Sequence, residues 1–151
     1  MDAEQFDRII QDAIQGEIEA RDFYAAAADR VEAPAVKEIF ARLSKEEDGH
    51  RHRLQTIKSD PMAKMEFQKV EDFGVAEEQD WPKLSLEMSP AEALQLSIKK
   101  EQAAMENYQT LASSIENAEL KKVFVELSEM ERGHKVYLEK LFINVAYPEA
   151  W

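Results

Sequence analysis

Residues 13–54 align without a gap on residues 97–138, at a constant offset of 84, with fourteen identities in forty-two positions. A chain that repeats a stretch of this length is built from two copies of one supersecondary unit. The identities fall on particular residues. Glu17 meets Glu101, Tyr24 meets Tyr108 and Phe40 meets Phe124. Leu43-Ser44 meets Leu127-Ser128, Glu47 meets Glu131, and Gly49-His50 meets Gly133-His134.

Each copy reads as a helical hairpin. In the first, Phe6, Ile10, Ala13, Glu17, Ala20, Tyr24, Ala27 and Val31 step alternately by four and three, the buried stripe of a helix in a bundle. Pro34 marks the turn and suits the first position of the next helix. Val36, Phe40, Leu43, Glu47, His50, Leu54 and Ile57 repeat the stepping, and Ser59-Asp60-Pro61 breaks it. In the second copy Ser89-Pro90-Ala91-Glu92 is a helix start, with a Ser cap, a Pro at the first position and a Glu three after the cap. Its stripes are Leu94, Ser97, Glu101, Ala104, Tyr108, Leu111, Ile115 and, after an expected cap at Asn117, Leu120, Phe124, Leu127, Glu131, His134, Leu138, Leu141, Val145.

These patterns predict an all-α fold, an antiparallel four-helix bundle of two hairpins at about 3–58 and 90–145, forming a single domain over residues 1–151. The crossover, about 59–89, contains Phe67, Phe73, Gly74, Trp81 and Pro82, so it is expected to pack on the bundle. One long connection between the second and third helices is a known bundle layout. The tail from Ala146 to Trp151 is too short for another helix.

Composition narrows the function. Thirty-one acidic against nineteen basic residues give a formal charge of −12, which supplies no basic footprint for nucleic acid and disfavours anionic membrane. The absence of cysteine excludes disulfides, thiolate metal sites and a cysteine nucleophile. No signal peptide is expected at the acidic N-terminus and no apolar run reaches the ~20 residues that span a bilayer, so a cytoplasmic location is the expectation.

The decisive feature lies inside the stripes. Each should be apolar, yet each carries a glutamate near its middle, and two also carry a histidine. An ionised carboxylate buried without a partner costs several kcal/mol or more, and four together repel one another. Two divalent cations would neutralise four carboxylates. Glu47 with His50 and Glu131 with His134 are each three apart, hence on one helix face, and each follows its stripe glutamate by thirty residues. A lone Glu from each of two helices plus Glu-x-x-His from each of the other two is the ligand set of di-iron and di-manganese carboxylate bundles. Such a donor set suits iron or manganese better than thiol-seeking metals, with zinc as a redox-silent option.

This pattern resembles the ferritin-like di-iron superfamily, in particular its rubrerythrin and bacterioferritin branches. The resemblance covers both repeats. It implies that Glu17 and Glu101 are terminal ligands, that Glu47 and Glu131 bridge, and that His50 and His134 bind one ion each, for two iron ions per chain. It further implies an oxidoreductase that reduces hydrogen peroxide or dioxygen, or alternatively a ferroxidase that handles iron. Rubrerythrins commonly carry an extra carboxylate three residues after the third-helix Glu. Here that position is Ala104, with Ala20 as its counterpart, so the site should be symmetric. The rubredoxin module is absent too, so electrons would come from an external donor such as a rubredoxin-like protein. A homodimer is the expected assembly.

Tyr24 and Tyr108, seven residues beyond the stripe glutamates, are open to three readings: core tyrosines with satisfied hydroxyls, donors to a ligand carboxylate, or an electron relay. Glu46 could accept from the far N–H of one histidine; its counterpart, Met130, cannot play that part, so the outer partners should differ. His52, off the stripe, should be exposed. Met62, Met65 and Met88 are expected to pack rather than to ligate haem, and the Ala25 to Ala28 patch to pack closely.

Overall fold

The computed structural model describes residues 2–70 and 90–145. These residues form α1 (Ala3–Arg30), α2 (Pro34–Lys58), α3 (Pro61–Gln68), α4 (Pro90–Ser114) and α5 (Ala118–Val145), with no strand among them. The repeat is visible in the boundaries. α1 ends at Arg30 and α4 at Ser114, while α2 begins at Pro34 and α5 at Ala118, each pair 84 residues apart.

Local chemistry sets the ends. Asp2 and Gln5 form a reciprocal capping box on α1, with bonds of 2.8 and 2.9 Å. Ala33 offers no side-chain cap. It is extended, as the residue before a proline prefers, and Pro34 opens α2. The Asn117 side chain accepts from Leu120 N at 3.0 Å, capping α5 as expected. Ser89 lies outside the described residues, as do Phe73, Gly74, Trp81, Pro82, Met88 and the tail.

Two apolar clusters fill the bundle, one towards each end. Phe6, Ile10, Leu54, Ile57, Leu111, Ile115, Leu120 and Phe124 bring together the start of α1, the end of α2, the end of α4 and the start of α5. Phe23, Ala27, Phe40, Leu43, Leu94, Leu138 and Leu141 join the opposite ends of the same helices. It follows that α1 and α5 run one way and α2 and α4 the other. α2 therefore finishes at the end opposite to where α4 begins. A link between them must cover the length of a 25-residue helix, roughly 37 Å. That is why the crossover is long. The result is the all-α, ferritin-like bundle of two hairpins.

The crossover begins with α3, a helix that the sequence pattern did not reveal. Asp60 caps it by accepting from Met62 N at 3.0 Å. It buries Ala63 and Phe67, four apart, and Phe67 meets the rings of Phe6 and Phe124 at centroid distances of 4.7 and 5.9 Å. Met62 and Met65 lie off that face. They are 41% and 62% exposed, contrary to the expectation that they pack. The α1 stripe also needs correcting: Ile14 is in the core, whereas Ala13 and Ala20 are only partly buried. Ala27 and Ala28 are buried, but Ala25 is exposed.

The serines shared by the two repeats tie each hairpin together. Ser44 Oγ donates to the Arg21 carbonyl at 2.9 Å, and Ser128 Oγ to the Met105 carbonyl at 3.2 Å, again 84 residues apart on both sides. By contrast, a Cβ added at Gly49 would meet nothing within 4 Å. Glycine inside a helix is worth about 0.5–1 kcal/mol less than alanine, so Gly49→Ala is expected to raise Tm by about 1–4 °C in thermal unfolding. A fall in Tm would show that the position serves a contact beyond helix formation.

Candidate metal centre

Between the two apolar clusters the core turns polar. Glu17, Glu47, His50, Glu101, Glu131 and His134 are all buried there, with Glu47 and Glu131 only 1% exposed. They come from the middles of α1, α2, α4 and α5. His52, one helix face away from His50, is exposed as expected.

Their donor atoms converge as two groups: Glu17, Glu47, His50 and Glu131, and Glu47, Glu101, Glu131 and His134. Within each group one donor atom per residue lies within 4.8 Å of the others. Glu47 and Glu131 belong to both. Their oxygens are shared out between the histidines. Glu47 Oε2 lies 3.8 Å from His50 Nδ1 while Oε1 lies 2.5 Å from His134 Nδ1. Glu131 Oε1 lies 2.9 Å from His50 Nδ1 and Oε2 lies 3.6 Å from His134 Nδ1. Glu17 reaches only the His50 side, at 3.6 Å, and Glu101 only the His134 side, at 3.8 Å. The imidazole rings stack nearly parallel at 5.5 Å.

Around this set the tyrosines hold the unshared carboxylates, each reaching across to the other repeat. Tyr24 Oη donates to Glu101 Oε1, and Tyr108 Oη to Glu17 Oε1, both at 2.6 Å. Each tyrosine leans on the phenylalanine of its own repeat, Tyr24 on Phe40 at 6.2 Å and Tyr108 on Phe124 at 6.3 Å. One oxygen of Glu17 and of Glu101 is thereby anchored, which leaves the other for the cluster. Removing a hydrogen bond to a buried charged group costs about 1.5–3 kcal/mol. Tyr108→Phe is expected to lower stability by that amount; an unchanged denaturant midpoint would show that the bond contributes nothing.

The outer partners of the histidines differ. His134 Nε2 lies 2.7 Å from Glu46 Oε2. A carboxylate only accepts, so Nε2 carries a proton and donates to Glu46, which turns Nδ1 to the cluster. His50 Nε2 is buried with no hydrogen-bond partner among the described residues.

The electrostatics are those of a set built around cations. Burial, followed by the charges of Glu101, Glu131 and Glu17, pushes Glu47 well above the usual carboxylate range. Burial and the Glu131 charge do the same to Glu101. Burial and Glu17 take Glu131 up to about 7, against the pull of Glu101 and His50. Burial would raise Glu17 too, but contacts with Glu47, His50 and Tyr108 outweigh it and bring it to about 2. Burial would lower His50, yet Glu131 and Glu17 outweigh it and take it to about 10. Several polar atoms still lack partners among the described residues: Glu17 Oε2, Glu47 Oε1 and His134 Nδ1 are buried there without a hydrogen bond. The 2.5 Å approach of His134 Nδ1 to Glu47 Oε1 does not have hydrogen-bond geometry. Carboxylate oxygens and imidazole nitrogens brought together in a buried core fit a bound divalent cation at each group.

A family model described as rubrerythrin matches residues 8–81 and 92–150. The chain belongs to the rubrerythrin family. A solved structure of a hypothetical protein from Pyrococcus furiosus is similar over 94% of each chain, with 25% identity and a TM-score of 0.68. No curated protein sequence matches the chain. Rubrerythrin membership and the buried carboxylate–histidine cluster together fit a di-iron protein. Within this rubrerythrin-type centre, Ala20 and Ala104 pack against the two apolar clusters and bring no further carboxylate, which leaves the inner six residues matched in type between the repeats. No helix among the described residues is long and apolar enough to cross a membrane.

Proposed function

We propose that the chain is a di-iron oxidoreductase of rubrerythrin type that reduces hydrogen peroxide or dioxygen. Glu17, Glu47, His50 and Glu131 hold one iron, and Glu47, Glu101, Glu131 and His134 hold the other. The observation that carries this reading is that Glu47 and Glu131 belong to both groups, each turning one oxygen towards each histidine. When bound, two ferrous ions supply the two electrons that, with two protons, convert one peroxide into two waters.

The chain's own part is positioning. Tyr24 and Tyr108 pin Glu101 and Glu17 so that their remaining oxygens face inwards. Glu46 holds the proton on His134 Nε2 and turns Nδ1 to the site. Phe40, Phe124, Leu43 and Leu127 close the polar layer from both sides against water. With no cysteine in the chain, reducing equivalents come from a separate donor such as a rubredoxin-like protein.

The test is to load the protein with iron, reduce it without air and add peroxide. One peroxide should be consumed for every two Fe²⁺ oxidised, with the iron staying bound. Oxidation by dioxygen in preference to peroxide, followed by release of Fe³⁺, would show an iron-handling ferroxidase instead. Native mass gives a second check: a dimer accords with the enzyme and a large hollow assembly with storage.

A further inference from the structure

The two halves of the centre match in the type of their six inner residues but not behind them. At an offset of 84, Tyr108 on Glu17 repeats Tyr24 on Glu101 at the same 2.6 Å. His50 beside Glu131 repeats His134 beside Glu47. Glu46, 2.7 Å from His134 Nε2, has Met130 as its counterpart, and Met130 is 37% exposed. A thioether is a weak acceptor. His50, only 3% exposed, keeps an Nε2 with no partner among the described residues.

We propose that Glu46 makes the two metal positions unequal: the position served by His134 takes its ion first and holds it harder, whereas the position served by His50 fills second and empties first. This rests on the metal-centre reading above. A carboxylate on the far N–H of a metal-bound imidazole fixes the ring and raises its basicity, and losing such a partner typically weakens metal binding by about 10–100-fold. The inner residues match in identity between the two sides, although His50 Nδ1 hydrogen-bonds Glu131 at 2.9 Å and His134 Nδ1 approaches Glu47 without hydrogen-bond geometry. Beyond them, Glu46 is the difference in residue type within hydrogen-bond reach of the histidines. Glu46 is thus a positioning residue that acts through His134. The exchangeable ion is the one held by Glu17 and His50.

The experiment adds Co²⁺ stepwise to the metal-free, full-length chain and follows the visible absorption of bound cobalt. The wild type should fill in two steps whose dissociation constants differ by about 10–100-fold. Glu101→Ala should remove the tighter step and Glu17→Ala the weaker. Glu46→Ala should weaken the tighter step until the two merge. Met130→Glu, a change at a surface-accessible position, should tighten the weaker step and merge them from the other direction, which a merely structural role for position 46 would not produce. Two steps of equal affinity in the wild type, or a gap that persists in both Glu46→Ala and Met130→Glu, would overturn the inference while leaving the metal centre standing. A folded wild-type chain that bound no Co²⁺ would overturn the metal-centre reading and this inference with it.

Discussion

Replacing Glu47 with leucine is expected to abolish metal binding and, at the same time, to make the metal-free chain more stable. Glu47 belongs to both four-residue groups, so its loss removes one donor from each position rather than emptying one of them. Metal content should fall to none, whereas Glu17→Ala should still retain one ion. The stability effect has the opposite sign. Without cations Glu47 is a buried carboxyl pushed up by burial and by the charges of Glu101, Glu131 and Glu17. Leucine of similar volume removes that repulsion and joins the apolar clusters on either side. Four buried carboxyls face two imidazoles, so Glu47 is in excess over its possible cationic partners. Replacing buried ionic groups in such a set by well-packed apolar side chains is often neutral or stabilising by about 1–4 kcal/mol. Metal analysis and denaturant unfolding of the same preparation check both halves. A Glu47→Leu chain that kept its ions, or that was less stable than the metal-free wild type, would contradict the role assigned to this residue. A position whose native residue costs stability and supplies a ligand is one kept for function.

Stripping the metal should invert the dependence of stability on pH. In the metal-free chain Glu131 is held at about 7 against an ordinary 4.5, Glu47 and Glu101 are raised well above that range, and His50 is raised to about 10. Groups raised in the folded state favour folding below their unfolded values and lose that contribution as pH rises through their folded ones. Glu131 alone corresponds to on the order of 3 kcal/mol lost between about pH 4.5 and 7, and His50 loses its contribution between about 6.5 and 10. Glu17, lowered to about 2, works the other way, but only below pH 4.5. The metal-free chain should therefore be most stable in mild acid, with Tm falling from pH 5 to pH 9. The loaded protein should do the reverse, because ions displace the protons and bind more tightly as pH rises. Parallel melting series with and without chelator decide this. A metal-free Tm that rose across that range would sink the electrostatic account of the site.

Much of this was legible in the residues. The offset of 84 anticipated both hairpins and their matching ends, because helix periodicity and caps are local properties. The glutamates and histidines stood out because they interrupt stripes that a bundle must bury. Glu46 was singled out as a partner for one histidine, and Met130 as unable to repeat the part, but not which histidine Glu46 serves. Nor did the pattern reveal α3, whose eight residues show too little periodicity to register, or Ile14 in place of Ala13, since both fit a helical step and only the rotation of α1 against its neighbours selects one.

By itself, the sequence determined two copies of a helical hairpin, each carrying carboxylates and an imidazole on the face that packing conceals. Only the tertiary structure decided that the copies exchange partners: Tyr24 holds Glu101, Tyr108 holds Glu17, Glu46 serves His134, and each shared carboxylate divides its oxygens between the two histidines. Spacing along a helix specifies which side chains share a face. It does not specify the order, direction and rotation in which four helices meet, and those quantities place an atom of one repeat within 3 Å of an atom of the other.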